Sequence, residues 1–221
     1  YGHPSKFGYK DICELWKAEK FNPEELMRLY KRAGAQYFVG QAMHHDHFFN
    51  FPSDLNRFNS VNVGPGKDIC GLWQAAAEKE GMPFGLTEHM AGSFVWSSVN
   101  KGADSYGPYA GIPYDGNDPE YRDFYLDNYE HYYQKEEEPK GCQYTANKKF
   151  QDYWLTVMQE VIDLYKPDLF YSDGPIPFGW HGGHSSPEDP VFTNGLEAIS
   201  HLYNTSIDKN GENQAVYAQK D

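Results

Sequence analysis

Helix-like and strand-like segments alternate four times along this 221-residue chain, and that order constrains the fold more than any other feature. The first helix is predicted to begin at Pro23, with Asn22 as its cap, and to end at Gly34, because these residue types favour those positions. Further helices are predicted at 68–81, 147–165 and 194–208, and strands follow the four helices at 36–43, 83–87, 168–172 and 214–218. Repeated helix-then-strand units are typical of an α/β fold with a parallel sheet.

One connection is much longer than an ordinary loop between a strand and a helix. The stretch 95–145, rich in Gly, Tyr, Asp and Pro, joins the second strand to the third helix, and a further helix is predicted inside it at 119–134. In α/β barrels the loops that follow strands build the active site. The stretch therefore fits either a wall or lid over a substrate, or an insertion on the surface.

Charge and cysteine content exclude several classes of protein. With 32 acidic and 19 basic residues the formal net charge is −13, which argues against nucleic acid or an anionic membrane surface as partner. No stretch of about 18 apolar residues occurs, so no membrane-spanning helix is predicted. The three cysteines are widely spaced, which predicts neither a disulfide framework nor a zinc ribbon.

Ionisable residues follow three of the four predicted strands at their carboxyl ends. The first strand runs into HHD at 44–46, the second into Glu88 and His89, and the third into Asp173. Because the carboxyl ends of parallel strands meet at one edge of a sheet, these side chains are expected to converge on a concave polar site. Asp46 is expected to be structural, accepting backbone N–H groups in the turn.

Three sequence blocks resemble the α-L-fucosidases of glycoside hydrolase family 29. The first runs from 33 to 73 and contains HHD, a Phe-rich turn, Asn-Ser-Val and GPGKD, in the family's order. The second is PDLFYSDG at 167–174, and the third is GLTEH at 85–89 with the later Trp96. The resemblance covers nearly the whole chain. A departure is His47 and Phe48 after HHD, where the family more often has Gly or Ser and then Phe.

This resemblance implies a (β/α)₈ TIM-like barrel, of which the chain holds about four βα units, strands two to five. Residues 1–221 would then be the central part of a single catalytic barrel domain, with the long loop at 95–145 as an insertion. The family's first strand, with its Phe-Ile-His-Trp-Gly motif, and its last strands are not in the sequence. Whether the chain is part of a longer polypeptide or a truncation stays open.

The resemblance also implies a retaining hydrolase that releases α-L-fucose from fucosylated oligosaccharides or polysaccharides. Such enzymes need two carboxyl groups about 5–5.5 Å apart, one as nucleophile and one as acid/base. Asp173 matches the nucleophile. The acid/base is expected beyond residue 221, since the family gives Glu88 no such role. No cofactor or metal is expected, and such enzymes are often secreted or periplasmic.

Several side chains are expected to bind the sugar. His44, His45 and His89 would form hydrogen bonds with fucose hydroxyls. Trp96 and Phe48 would cover the methyl group or apolar face of the sugar, unless they simply pack in the core. Trp180 would line an outer subsite, unless its Gly- and His-rich surroundings are an exposed loop.

Three alternatives remain open from the sequence. The first is a metal hydrolase in which zinc is bound by His44, His45, His89 and Asp173, residue types that zinc accepts. The second is a carbohydrate-binding barrel without turnover. The third is the same fold acting on another sugar, such as an α-galactoside or a sulfated fucose, since a few atoms in a pocket decide between such substrates.

Overall fold

A four-stranded parallel sheet organises the fold, in a computed structural model that describes residues 1–128, 144–179 and 193–220. The strands are β1 Phe38–Gln41, β2 Phe84–Glu88, β3 Leu169–Ser172 and β4 Val216–Gln219. They lie side by side in chain order, and every neighbouring pair is parallel. The predicted α/β class and its parallel sheet are confirmed.

Helices connect the strands close to the predicted positions. They are α1 Tyr9–Leu15, α2 Pro23–Arg32, α3 Ile69–Lys79, α4 Ser93–Trp96, α5 Arg122–Tyr125, α6 Lys148–Tyr165 and α7 Asn194–Asn210. The caps of three of them are side-chain oxygens that accept a backbone N–H three residues later, from Asn22, Asp68 and Asn147. The short helix α1 was not predicted.

In its described part, residues 89–128 and 144–147, the long connection after β2 contains short helical turns. Four 3₁₀ turns, Met90–Gly92, Ser97–Lys101, Asp115–Asn117 and Pro119–Tyr121, accompany α4 and α5. The predicted helix at 119–134 is corrected: α5 ends at Tyr125, because Leu126 adopts φ 62° and ψ 163°, outside the helical region. Residues 129–134 of that prediction lie outside the described part of the chain.

The helices cover one face of the sheet. Phe84, Leu86 and Phe170 point to that face and are buried with Trp154 and Val161 of α6 in the main hydrophobic cluster. On the opposite face Gln41 and Val216 are exposed. Within the described residues, no helix is both long and apolar enough to cross a membrane.

Candidate active site

Backbone hydrogen bonds bring the carboxyl ends of three strands together. The amide of His89 donates to the carbonyl of Met43 at 3.2 Å, and the amide of Asp173 donates to the carbonyl of Glu88 at 3.2 Å. The residues that follow β1, β2 and β3 are thereby fixed next to one another. The convergence expected from the sequence is found for His44, His45, His89 and Asp173, which form one group of side chains. It is wrong for Glu88, which is buried on the other side of the sheet against Trp154.

The three imidazole rings are in mutual contact. The His45 and His89 ring centroids lie 3.8 Å apart, and the His44 ring lies edge-on to both, at 4.7 Å and 4.8 Å. His89 Nδ1 and His44 Nε2 lie 3.3 Å apart. His89 Nδ1 also lies 3.4 Å from the Asp173 carboxylate. The rings therefore line a small polar surface on one side of this carboxylate.

His45 is held between two other groups. Its ring stacks on Trp96, with centroids 5.2 Å apart and planes 17° from parallel, and its edge lies against the backbone of Gly92. Burial, followed by the neighbouring His89 and His44 rings, lowers the pKa of His45 to about 4, so the ring is neutral at pH 7. Its buried Nδ1 has no hydrogen-bond partner among the described residues.

Asp173 is surrounded by donors. The Tyr171 hydroxyl donates to its Oδ1 at 3.1 Å, and the Lys220 ammonium lies 3.4 Å from the same oxygen. Desolvation raises the pKa of the Asp173 carboxyl, but the hydrogen bonds from Tyr171 and Lys220 and the nearby His89 outweigh it, so the pKa falls below the ordinary value. The carboxylate is ionised at neutral pH, and about a third of its side-chain surface stays open to solvent.

Tyr171 and Lys220 were not among the predicted site residues. Tyr171 precedes Asp173 by two positions, and alternate residues of a strand share a face, so the sequence carried a signal for it. Lys220 directly follows β4, which makes it the strand-end residue of the fourth strand.

The aromatic candidates lie in different places. Trp96 is 58% exposed beside His45, so one face of its indole is available to a ligand. Phe48 is only 7% exposed and packs in the second hydrophobic cluster with Phe58 and Phe124, rather than beside the histidines. Trp180 lies outside the described residues.

Two polar residues beside the site, His47 and Asp46, form hydrogen bonds within the protein framework and do not face the site. His47 has φ 60°, a conformation that favours glycine, and its buried ring bonds the Phe124 carbonyl at 2.9 Å and the Tyr153 hydroxyl at 3.0 Å. Asp46 accepts the backbone N–H of Phe48 at 3.4 Å, as expected from the sequence, and also a hydrogen bond from Tyr9 at 2.5 Å. Neither residue contributes to the group formed by the three histidines and Asp173.

Glu88 lies beneath this group, on the helix-covered side of the sheet. Its Oε2 accepts hydrogen bonds from the Trp154 indole at 3.3 Å and from the Ala91 amide at 3.4 Å, while its Oε1 has no partner in the described ranges. Burial raises the pKa of the Glu88 carboxyl, although the nearby Ser172 and Trp154 groups oppose this in part. Burial therefore shifts the equilibrium of this carboxyl toward its neutral form relative to an exposed glutamate.

The comparison with known sequences decides the family. The sequence model described as alpha-L-fucosidase matches residues 1–218. This chain belongs to the α-L-fucosidase family. The resemblance seen in the HHD, GLTEH and PDLFYSDG blocks is thereby confirmed.

Individual α-L-fucosidases match this chain over parts of different length, and each match covers a smaller share of the relative than of this chain. The tissue alpha-L-fucosidase of Rattus norvegicus is 28% identical over 205 residues, which are 92% of this chain and 34% of the rat protein. That of Homo sapiens is 38% identical over 85 residues, 38% of this chain and 18% of the human protein. This chain thus spans about a third of the length of the rat relative.

A solved fucosidase structure has a similar fold. The alpha-fucosidase of Thermotoga maritima, in complex with a mechanism-based inhibitor, is 25% identical, with a TM-score of 0.57. The match covers 96% of this chain and 38% of that one. The fold similarity therefore extends over nearly the whole of this chain.

Proposed function

We propose that the protein is a retaining α-L-fucosidase in which Asp173 is the nucleophile. The observation that carries the proposal is the group at the strand ends: an ionised, partly open carboxylate bordered by three imidazoles and a partly exposed indole. Membership of the α-L-fucosidase family supports fucose as the sugar. The substrates would be fucosylated oligosaccharides or polysaccharides, and the enzyme would be secreted or periplasmic.

Asp173 has the surroundings that a glycosidase nucleophile needs. One carboxylate oxygen would attack the anomeric carbon while the aglycone oxygen leaves with a proton from the acid/base, and water would then release fucose. The donors Tyr171 and Lys220 both approach Oδ1, whereas Oδ2 faces His89. They keep the carboxylate ionised in the free enzyme, which is the reactive form.

The sugar would lie against the histidines and Trp96. His44, His45 and His89 present ring nitrogens beside the carboxylate, as hydrogen-bonding partners for sugar hydroxyls. The exposed indole face of Trp96 suits the methyl group or apolar face of fucose. Phe48, buried in the second cluster, fits core packing better than a sugar contact.

We further propose that the chain is the central part, strands two to five, of a (β/α)₈ barrel. The parallel sheet with helices over one face supports this, because in a barrel the other face lines the interior. The long connection at 95–145 would belong to the wall of the site, since it carries Trp96. The acid/base would come from a part of the barrel beyond these four strands.

Hydrolysis of a nitrophenyl α-L-fucoside by the natural protein tests the function. Turnover is expected in the wild type, and Asp173→Ala should lower kcat by at least about a thousandfold. Added azide should restore turnover in this variant and give a fucosyl azide of inverted configuration, because the small anion takes the place of the carboxylate. Asp163→Ala is the matched control, since this exposed aspartate pairs with His201 on the surface.

Each outcome has a definite meaning. An inert wild type would refute fucosidase activity. Full activity in Asp173→Ala would exclude Asp173 as nucleophile. Loss without azide rescue, in a variant that unfolds at the wild-type temperature, would assign Asp173 a role other than covalent catalysis.

A further inference from the structure

The histidine cluster has a second chemical property that the proposed hydrolysis does not use. His44, His45 and His89 each offer one ring nitrogen, and these nitrogens all lie within 4.8 Å of one another. Imidazole nitrogen is a ligand that Zn²⁺, Cu²⁺, Co²⁺ and Ni²⁺ accept readily, whereas Mg²⁺ and Ca²⁺ prefer oxygen. Three imidazoles with one carboxylate are also a donor set that suits a four-coordinate zinc ion.

Two distances in the group match the geometry of a tetrahedral site. With metal–ligand distances of about 2.0–2.1 Å, neighbouring ligand atoms of a tetrahedron lie about 3.3–3.4 Å apart. His44 Nε2 and His89 Nδ1 are 3.3 Å apart, and His89 Nδ1 and Asp173 Oδ2 are 3.4 Å apart. All ligand nitrogens of the histidine group lie within 4.8 Å of one another, so the widest pair exceeds the tetrahedral distance by at most about 1.5 Å, which a small movement of one ring would close.

The group is also held in place by its surroundings. The side chain of His89 is about nine-tenths buried, and its backbone N–H donates to the carbonyl of Met43, two residues after β1. His45 is stacked on Trp96, and the Ser93 hydroxyl donates to the His44 carbonyl at 3.2 Å. Ligands already confined in this way lose little conformational freedom when they bind an ion.

We propose that His44, His45, His89 and Asp173 bind one divalent transition-metal ion of the zinc type, and that this ion excludes the sugar. The same nitrogen lone pairs and the same carboxylate cannot hold a metal and contact a fucose ring together. The metal is therefore an inhibitor that competes with substrate, not a participant in hydrolysis. The inhibitory part of this inference rests on the proposed function, while the binding part does not.

Metal binding is measured first, without reference to activity. Chelator-treated natural protein, free of any histidine tag, is titrated with Co²⁺ by visible spectroscopy and with Zn²⁺ by calorimetry. One equivalent of Co²⁺ should give the intense absorption of a tetrahedral ion, and Zn²⁺ should displace it.

His89→Gln and Asp173→Asn should each weaken binding by at least about tenfold, and Mg²⁺ should not bind. His201→Gln, at a surface histidine paired with Asp163, should bind metal as the wild type does.

Competition with sugar then tests the inhibitory part. L-fucose should weaken Zn²⁺ binding to the wild type, and Zn²⁺ should raise KM for the nitrophenyl fucoside with kcat unchanged, reversibly on adding chelator. The inference is overturned if the wild type binds no stoichiometric metal, or if His89→Gln and Asp173→Asn bind metal as tightly as the wild type does. Either result leaves the proposed fucosidase function standing. Binding that L-fucose does not affect overturns the inhibitory part alone.

Discussion

Replacing Gly92 with alanine should damage the site through a single contact. A Cβ at this position would lie 2.4 Å from Cε1 and 2.5 Å from Nδ1 of His45, where ordinary contacts begin at 3.4 Å. The backbone itself accepts alanine, because Gly92 has φ −83° and ψ −9°, in the right-handed helical region. The methyl group therefore acts on the His45 ring and not on the fold of the chain.

The size of the effect follows from the displacement. The ring must retreat by about 1 Å, and a misplacement of about 1 Å in a binding group can cost about 100-fold in rate. The His45 ring lies between His89, at 3.8 Å, and Trp96, at 5.2 Å, and the exposed Trp96 can yield. We therefore expect kcat/KM on the nitrophenyl fucoside to fall by about 10- to 100-fold, or about 1.4–2.7 kcal/mol.

A matched glycine provides the control. A Cβ on Gly40 of β1 would meet its nearest neighbours at 3.5 Å and 3.6 Å, so Gly40→Ala should keep wild-type kinetics. In a His45→Ala background, Gly92→Ala should cost nothing further, since the contact is gone. Wild-type kcat/KM in Gly92→Ala, or the same loss with and without the His45 ring, would refute this reasoning. The melting temperature of each variant separates local from global effects.

Two further predictions concern the carboxyl groups. Tyr171→Phe removes a donor that lowers the pKa of Asp173, so the acidic limb of the profile of kcat/KM against pH should move to higher pH; an unmoved limb would mean that Asp173 does not set it. Burial raises the pKa of Glu88 in the folded protein. The stability that the protonated carboxyl contributes is therefore complete below its pKa in the unfolded chain, about 4.3, and is lost as pH rises through the folded pKa. Glu88→Gln keeps an acceptor but does not titrate, so its melting temperature minus that of the wild type should increase from about pH 4 to about pH 8; a constant difference would contradict this.

The elements could be predicted from the sequence because their signals are local. Asn22 caps the first predicted helix as expected, and Asp68 and Asn147 cap two further helices at their predicted starting positions. A short polar side chain before an apolar run satisfies the free N–H groups of the first turn. The strand ends converge because parallel strands with helical connections place all their carboxyl ends at one edge. Both follow from short-range rules that hold whatever the distant parts of the chain do.

Other features depend on contacts far apart in sequence. His47 turns away from the site because its ring finds the Phe124 carbonyl and the Tyr153 hydroxyl, 77 and 106 positions along the chain. The burial of Phe48 depends on Phe58 and Phe124 in the same way. No local pattern reports such partners, so neither placement could be read from the sequence.

Glu88 and His89 show how one polar strand end divides between two environments. Neighbours along a strand point to opposite faces, so a single pair of ionisable residues sends the imidazole to Asp173 and the carboxyl into the helix layer against Trp154. A glycosidase acid must reach the leaving oxygen and exchange protons with solvent. Buried under the sheet, Glu88 meets neither condition, although its backbone carbonyl bonds the amide of Asp173. The second catalytic carboxyl group of the proposed mechanism must therefore come from another segment, and Glu88 contributes by fixing the backbone that presents the first.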